Sequence, residues 1–293
     1  MDFVFAADAR RSQPLRFGMG PLVAAGGLFV PGEEAGRLEQ DVGGLCRDYG
    51  FPDGEEFRLS PLEGGWMWNN LVGERRRRFL GEVLGLAGER KVVAAVVIHD
   101  AGCPVFGGAT DAEMDVASSF VACMEKRLAG RKAVSVVIGA ESGDEVSKDG
   151  FVGGYLETLL KKTSCMKASG LTVSVLPLPV RSSRLLQLAR VVVWCTTAVV
   201  SGDSQWSGRV FASVRRLLGR ERGRAGRVGL SLHPYYMYAN LYHWLVGDTY
   251  FWMHGTEFAL PLACYPYSCG GDSFGPRAWE GSGHREEKAW QEI

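Results

Sequence analysis

The chain has 293 residues, enough for one large domain or two modest ones with a substantial core. Hydrophobic residues make up 46% and charged residues 23%, the balance of an ordinary soluble globular protein. The formal net charge is zero, which excludes a whole-chain field drawing the protein to nucleic acid or membrane, so any basic surface must be local.

Residues 2–7 read as a short strand and 22–30 as a second one rich in small residues. Pro31 and Gly32 break the chain before a helix through Leu38 and Leu45. FPDGEEFRLSP (51–61) predicts a turn and a short strand. Residues 74–86 place Phe79, Leu80, Val83 and Leu84 at helical spacing. Residues 91–99 form an almost uninterrupted apolar run, as a strand buried on both faces does. A Gly-rich loop (102–109) leads to a helix over 111–128 and another buried strand over 133–138. Then come a helix at 151–162, a strand at 171–176 and a long helix at 183–200.

Strands that first follow one another directly and then alternate with helices predict an α/β fold. The order fits an RNase H-like mixed five-stranded sheet flanked by helices, with a helical C-terminal extension, although order alone leaves other α/β folds open. The expected organisation is a domain over 1–203, a helical and basic extension over 204–267 packed on it, and a loose tail over 268–293.

Seven cysteines lie scattered without CxxC spacing, most in apolar runs such as VVVWCTTAVV around Cys195. That pattern points to free thiols in a reducing cytoplasm and away from a zinc ribbon. Cys264 and Cys269, with His254 and His284, are the one grouping that suggests a metal clip. The opening MDFVFAADARR turns acidic and basic too early for a signal peptide. The longest apolar run, 185–200, is too short to span a bilayer and contains Gln187 and Arg190, so no membrane association is expected.

Six stretches occur in order: PLVAAGGLFVP (21–31), FPDGEEFRLSP (51–61), MWNNLVGERRRRFL (67–80), SGDEVSKD (142–149), RLLQLARVVVWCTTAVVSGD (184–203) and LHPYYMYANLYHWLVGD (232–248). Together they resemble the DUF3800 family, a group of RNase H-like proteins of largely unassigned function. The resemblance implies acids at three places. Ala7 stands at the first, followed by Asp8, and a one-residue shift would make Asp8 the ligand. Gly139 stands where the strand before SGD carries Asp, and Arg190 stands in LQLAR where the family reads LQLAD.

RNase H-type hydrolysis uses two metal ions roughly 3.5–4 Å apart, one activating water and one stabilising the leaving oxygen. Magnesium requires converging oxygen ligands. Alanine and glycine remove ligands, and arginine places a permanent positive charge where a dication would sit. The resemblance therefore implies a degenerate nuclease, a pseudoenzyme with no cofactor. Asp8, Glu56, Glu113, Asp115, Glu141 and Asp144 are the neighbours from which a site could be rebuilt, and Glu56 matches an acid of the family pattern. The alternative is an active Mg- or Mn-dependent nuclease with a shifted set built on Asp8, Glu56 and Glu141.

Ser183, Gln187 and Arg190 share one helical stripe, which predicts that Arg190 looks into the old cleft and pairs with Asp8 or Glu56, or else reaches solvent along the helix edge. Residues 209–227 carry seven arginines, Arg209, Arg215, Arg216, Arg220, Arg222, Arg224 and Arg227, against one acid, Glu221. Such a run binds phosphate without reading sequence, or is simply a solvated face. The RRRR run at 75–78 winds around its helix and reads as structural. Tyr238, Leu241, Tyr242 and Leu245 share a helical face and read as core, with base stacking as the rival. No GxGxxG, Walker A, GxSxG or Cys–His signature is present, and neither His233 nor His243 has a catalytic partner in sequence. The expectation is a cytoplasmic, non-catalytic module that binds RNA or DNA through a local basic patch, or a protein partner, within a larger assembly. A purely structural subunit is the third reading.

Overall fold

The computed structural model describes residues 1–103, 109–140, 170–206, 208–253, 255–263 and 265–269. Strands β1 (Asp2–Arg11), β2 (Leu22–Val30) and β3 (Val93–Asp100) form an antiparallel meander. Strand β4 (Ala133–Ala140) lies parallel to β1, and β5 (Thr172–Pro179) parallel to β4. A sixth strand, β6 (Leu230–His233), pairs in parallel with β3, giving the order β5-β4-β1-β2-β3-β6. This is the RNase H-like α/β arrangement, with six strands in place of the five expected. Four residues, LSLH, carry too little period to announce β6 on their own.

The helices are α1 (Gly32–Asp48), α2 (Trp66–Asn70), α3 (Glu74–Glu89), α4 (Ala109–Leu128), α5 (Arg184–Val200) and α6 (Arg209–Leu217). Alternation along β1 divides the core. Phe5, Ala7 and Ala9 face α5, while Val4 and Ala6 face α4. Fourteen of the seventeen residues of α5 are buried, because α1 and α6 cover the side that turns away from the sheet. Thr196 and Thr197 tolerate this by donating to Val192 O (2.7 Å) and Val193 O (2.8 Å) one turn back.

Several expectations shift. Residues 51–61 form no strand; the segment packs through Phe57 and is held by Phe57 N donating to Gln187 Oε1 at 3.2 Å. Strand β5 runs on through Pro177 to Pro179, which a sheet-edge strand accommodates. The helix expected at 151–162 lies outside the described residues. Among its described residues, the segment after α5 contributes one full helix, α6. It then supplies β6, a short helical stretch (Ala239–Leu241, Tyr242–Val246) and the hairpin β7 (Tyr250–Met253) and β8 (Thr256–Ala259). Buried Asp100 ties this segment to the sheet, accepting from Gly20 N (3.0 Å), Gly102 N (2.8 Å) and the Tyr238 hydroxyl.

The small residues of β2 have a steric cause. A Cβ on Gly27 would stand 2.5 Å from Phe5 O and 3.2 Å from the Phe120 ring. Gly27→Ala is therefore expected to cost about 1–3 kcal/mol by overpacking, read as a lower urea midpoint at unchanged slope.

Candidate nucleic-acid interface

The three positions at which the resemblance implies acids lie on the α5 side of the sheet. The β1–β4 register reaches Ala6–Ile138, so Ala7 and Gly139 stand side by side just beyond it. Ala7 is buried among apolar residues. Gly139 is exposed, but a Cβ there would meet Val180 Cγ2 at 2.7 Å, so a carboxylate does not fit without displacing that buried valine. Arg190 is half-buried on the same helical edge as the exposed Trp194.

Among the described residues, the surviving acids do not converge. Asp8 alternates onto the α4 face with Ala6, beside the Arg10–Glu113 ion pair at 2.7 Å. Glu56 adjoins Phe57 on the opposite, α5 face, where Arg58 binds its carboxylate at 2.8 and 3.1 Å. Glu141 and Asp144 lie outside the described residues, as do His254, Cys264 and His284. Among the described residues, no three His, Cys, Asp or Glu side chains gather as a metal centre. Asp8 and Glu56 lie on opposite faces of the sheet, so these two carboxylates do not converge on one ion.

Of the two alternatives for Arg190, pairing with Asp8 or Glu56 is not seen, and the side chain stays half-buried on the helix edge. Its supposed stripe is not a cleft wall either. Ser183 caps α5 by accepting from Leu186 N, and Gln187 is buried, donating to Val180 O at 3.1 Å. The RRRR run is structural in part: Arg76 donates to Leu71 O at 2.8 Å, and Arg77 pairs with Glu74.

The seven arginines separate into three groups. Arg209, Arg215 and Arg216 lie on the solvent side of α6, opposite buried Val210, Phe211, Val214 and Leu217, and Arg209 pairs with Glu74 at 2.9 Å. Arg220 turns back to the protein, donating to Gly223 O (2.7 Å) and Val246 O (2.8 Å). Arg222, Arg224 and Arg227 edge a cleft of about 340 Å³ and an adjoining recess of about 280 Å³, both walled by Tyr250 and Trp252.

Local structure explains this convergence. Glu221 and Arg224 exchange backbone hydrogen bonds (2.9 and 3.0 Å) around Arg222 and Gly223, both at positive φ, a turn of type I′ character. Buried Asp248 then accepts from Ala225 N (3.0 Å) and Gly226 N (2.7 Å), clamping the loop. Gly226 is required there, since a Cβ would lie 2.9 Å from Asp248 Oδ2 and 3.1 Å from the Tyr242 ring. Arg224 lies over the Trp252 ring (5.7 Å) and Arg227 over Tyr235 (4.5 Å). Lys126, exposed at the end of α4, supplies a further cation. Arg227 has an electrostatic consequence: after burial, its charge is the second cause holding His233 down at about 4.

Strand alternation places the aromatics. Tyr250 and Trp252 face outward, 47% and 36% exposed, whereas Phe251 packs on Tyr235 and Tyr242 at ring-centre distances of 5.4 and 5.9 Å. Tyr238 and Tyr242, the alternative stacking candidates, are core. Lys126, Asp248, Tyr250 and Trp252 escaped the sequence reading. The alternation in Tyr-Phe-Trp after Gly247 was the available signal. Compared with models of known families the chain matches none, and no curated protein matches it.

Proposed function

We propose that the protein is a non-catalytic, RNase H-like module that binds RNA or DNA through the cleft between the 221–228 loop and β7. The observation that carries this reading is the meeting of Lys126, Arg222, Arg224 and Arg227 at one cleft bordered by outward aromatics. Among the described residues, two exposed carboxylates, Glu221 and Glu257, oppose these four cations; Asp248 is buried and committed to backbone amides. Phosphate binding requires basic side chains and no metal, so a cleft of this kind functions without the acids at positions 7, 139 and 190. The separation of Asp8 from Glu56 favours this reading over hydrolysis.

No helix among the described residues is long and apolar enough to cross a membrane. Free thiols at Cys46, Cys103, Cys123, Cys195 and Cys269 support a reducing, cytoplasmic setting. Exposed Leu62, Trp68 and Val72 around α2 are surface that a protein partner in a larger assembly would cover.

Titrating labelled RNA and DNA from about 50 to about 200 mM salt tests the reading, with a log–log slope of about −2 to −3 expected for three or four phosphate contacts. Arg224→Glu/Arg227→Glu is expected to weaken binding at least about tenfold and to flatten that slope. The same strands incubated with Mn2+ are expected to remain uncut. A slope near zero, or cleavage lost in Asp8→Ala, refutes the proposal.

A further inference from the structure

Resting on the nucleic-acid reading above, we infer that the cleft takes a single strand, whose bases stack on Trp252 and Tyr250, and not a duplex. The two outward rings alternate along β7 around buried Phe251, so their spacing is that of residues i and i+2 on one strand face. Arg224 over the Trp252 ring fixes the ring's orientation before any ligand arrives. The recesses of about 340 and 280 Å³ share Arg224, Asp248, Tyr250 and Trp252 as a common wall.

Charge follows the same division. The larger recess holds Lys126, Arg224 and Arg227 against Glu221, an excess of cations suited to phosphate. The smaller one sets Glu257, paired across the hairpin with Trp252, against Arg222 and Arg224, a smaller excess of one cation. A duplex presents a continuous track of phosphates and keeps its bases stacked inside, so carboxylates interrupting the cations oppose it and the aromatic wall gains nothing from it. A single strand offers phosphate and unstacked base together, matching a basic recess beside rings.

The test measures fluorescence anisotropy of three labelled probes: a single strand of about twelve nucleotides, an abasic strand of equal length, and the matching duplex. The base-bearing single strand is expected to bind at least about tenfold tighter than either comparator. Trp252→Ala removes that preference without changing the salt slope, and Trp252→Phe keeps it. Trp252 is 36% exposed, so the fold is expected to survive, which a thermal melt checks. If Trp252→Ala melts early, Trp252→Phe and the abasic strand decide the question. Equal binding of all three probes, indifferent to Trp252→Ala, overturns the inference and leaves nucleic-acid binding standing. Failure of every probe to bind with salt dependence overturns both.

Discussion

Asp248→Ala is expected to lower stability by about 3 kcal/mol, because Ala225 N and Gly226 N lose a charged acceptor inside the protein. The side chain is almost fully enclosed, so water cannot readily replace the carboxylate. Arg220 adds a weaker contact, its guanidinium 3.7 Å from Oδ1 while its hydrogen bonds go to Gly223 O and Val246 O. Asp248→Asn is expected to fare little better. One amide oxygen serves only one of the two N–H donors, and the amide NH2 confronts the other. Urea midpoints measure the loss, and hydrogen exchange at Ala225 and Gly226 localises it. A loss under about 0.5 kcal/mol in both variants means the clamp does not hold the loop. Because the loop carries Arg222, Arg224 and Arg227, nucleic-acid affinity is expected to fall with it, although Asp248 is buried away from any ligand.

Acid is expected to destabilise the protein through His99 and His233. Their rings lie tilted at 39° with centres 4.3 Å apart where β3 meets β6, in register with each other. Burial, with mutual proximity second, lowers His99 from 6.5 to about 3; burial, with Arg227 second, lowers His233 to about 4. Both folded values lie below the unfolded one, so on acidification the unfolded chain takes up protons first. Stability is therefore full above about pH 7 and falls as pH drops from 6.5 toward 4, by up to about 1.4 kcal/mol per pH unit for each ring. By pH 4.5 the loss amounts to a few kcal/mol, on the order of a small domain's whole stability. Thermal midpoints from pH 7.5 to 4.5 measure it. His99→Phe/His233→Phe is expected to flatten the profile, and a double variant that keeps the parent's slope assigns the acid sensitivity elsewhere. The position of the pair matters, since β6 joins the sheet there and leads into the segment that forms the cleft.

The sheet and its helices were legible because their signals are local. The apolar run of β3, the small residues of β2 and the largely apolar α5 each encode burial within a few residues. The arginine run was equally plain, as was the core role of Tyr238 and Tyr242. Spatial grouping was not. Ser183, Gln187 and Arg190 share a stripe by spacing, yet the first two are enclosed by the 51–61 segment and the turn after β5, which no helical period reveals.

The amino-acid sequence by itself determined the order of strands β1 to β5, the burial of the sheet on both faces and the long apolar α5, because short-range period specifies those, whereas acids at positions 7, 139 and 190 are only what the resemblance implies. Only the tertiary structure decided that Asp8 and Glu56 lie on opposite faces, and that three of seven arginines meet Lys126, Tyr250 and Trp252 at one cleft. The physical reason is that this meeting depends on β6 docking beside β3 and on Asp248 clamping a loop more than twenty residues earlier. Those contacts are made between segments distant in the chain, and each is visible only once its partner is in place.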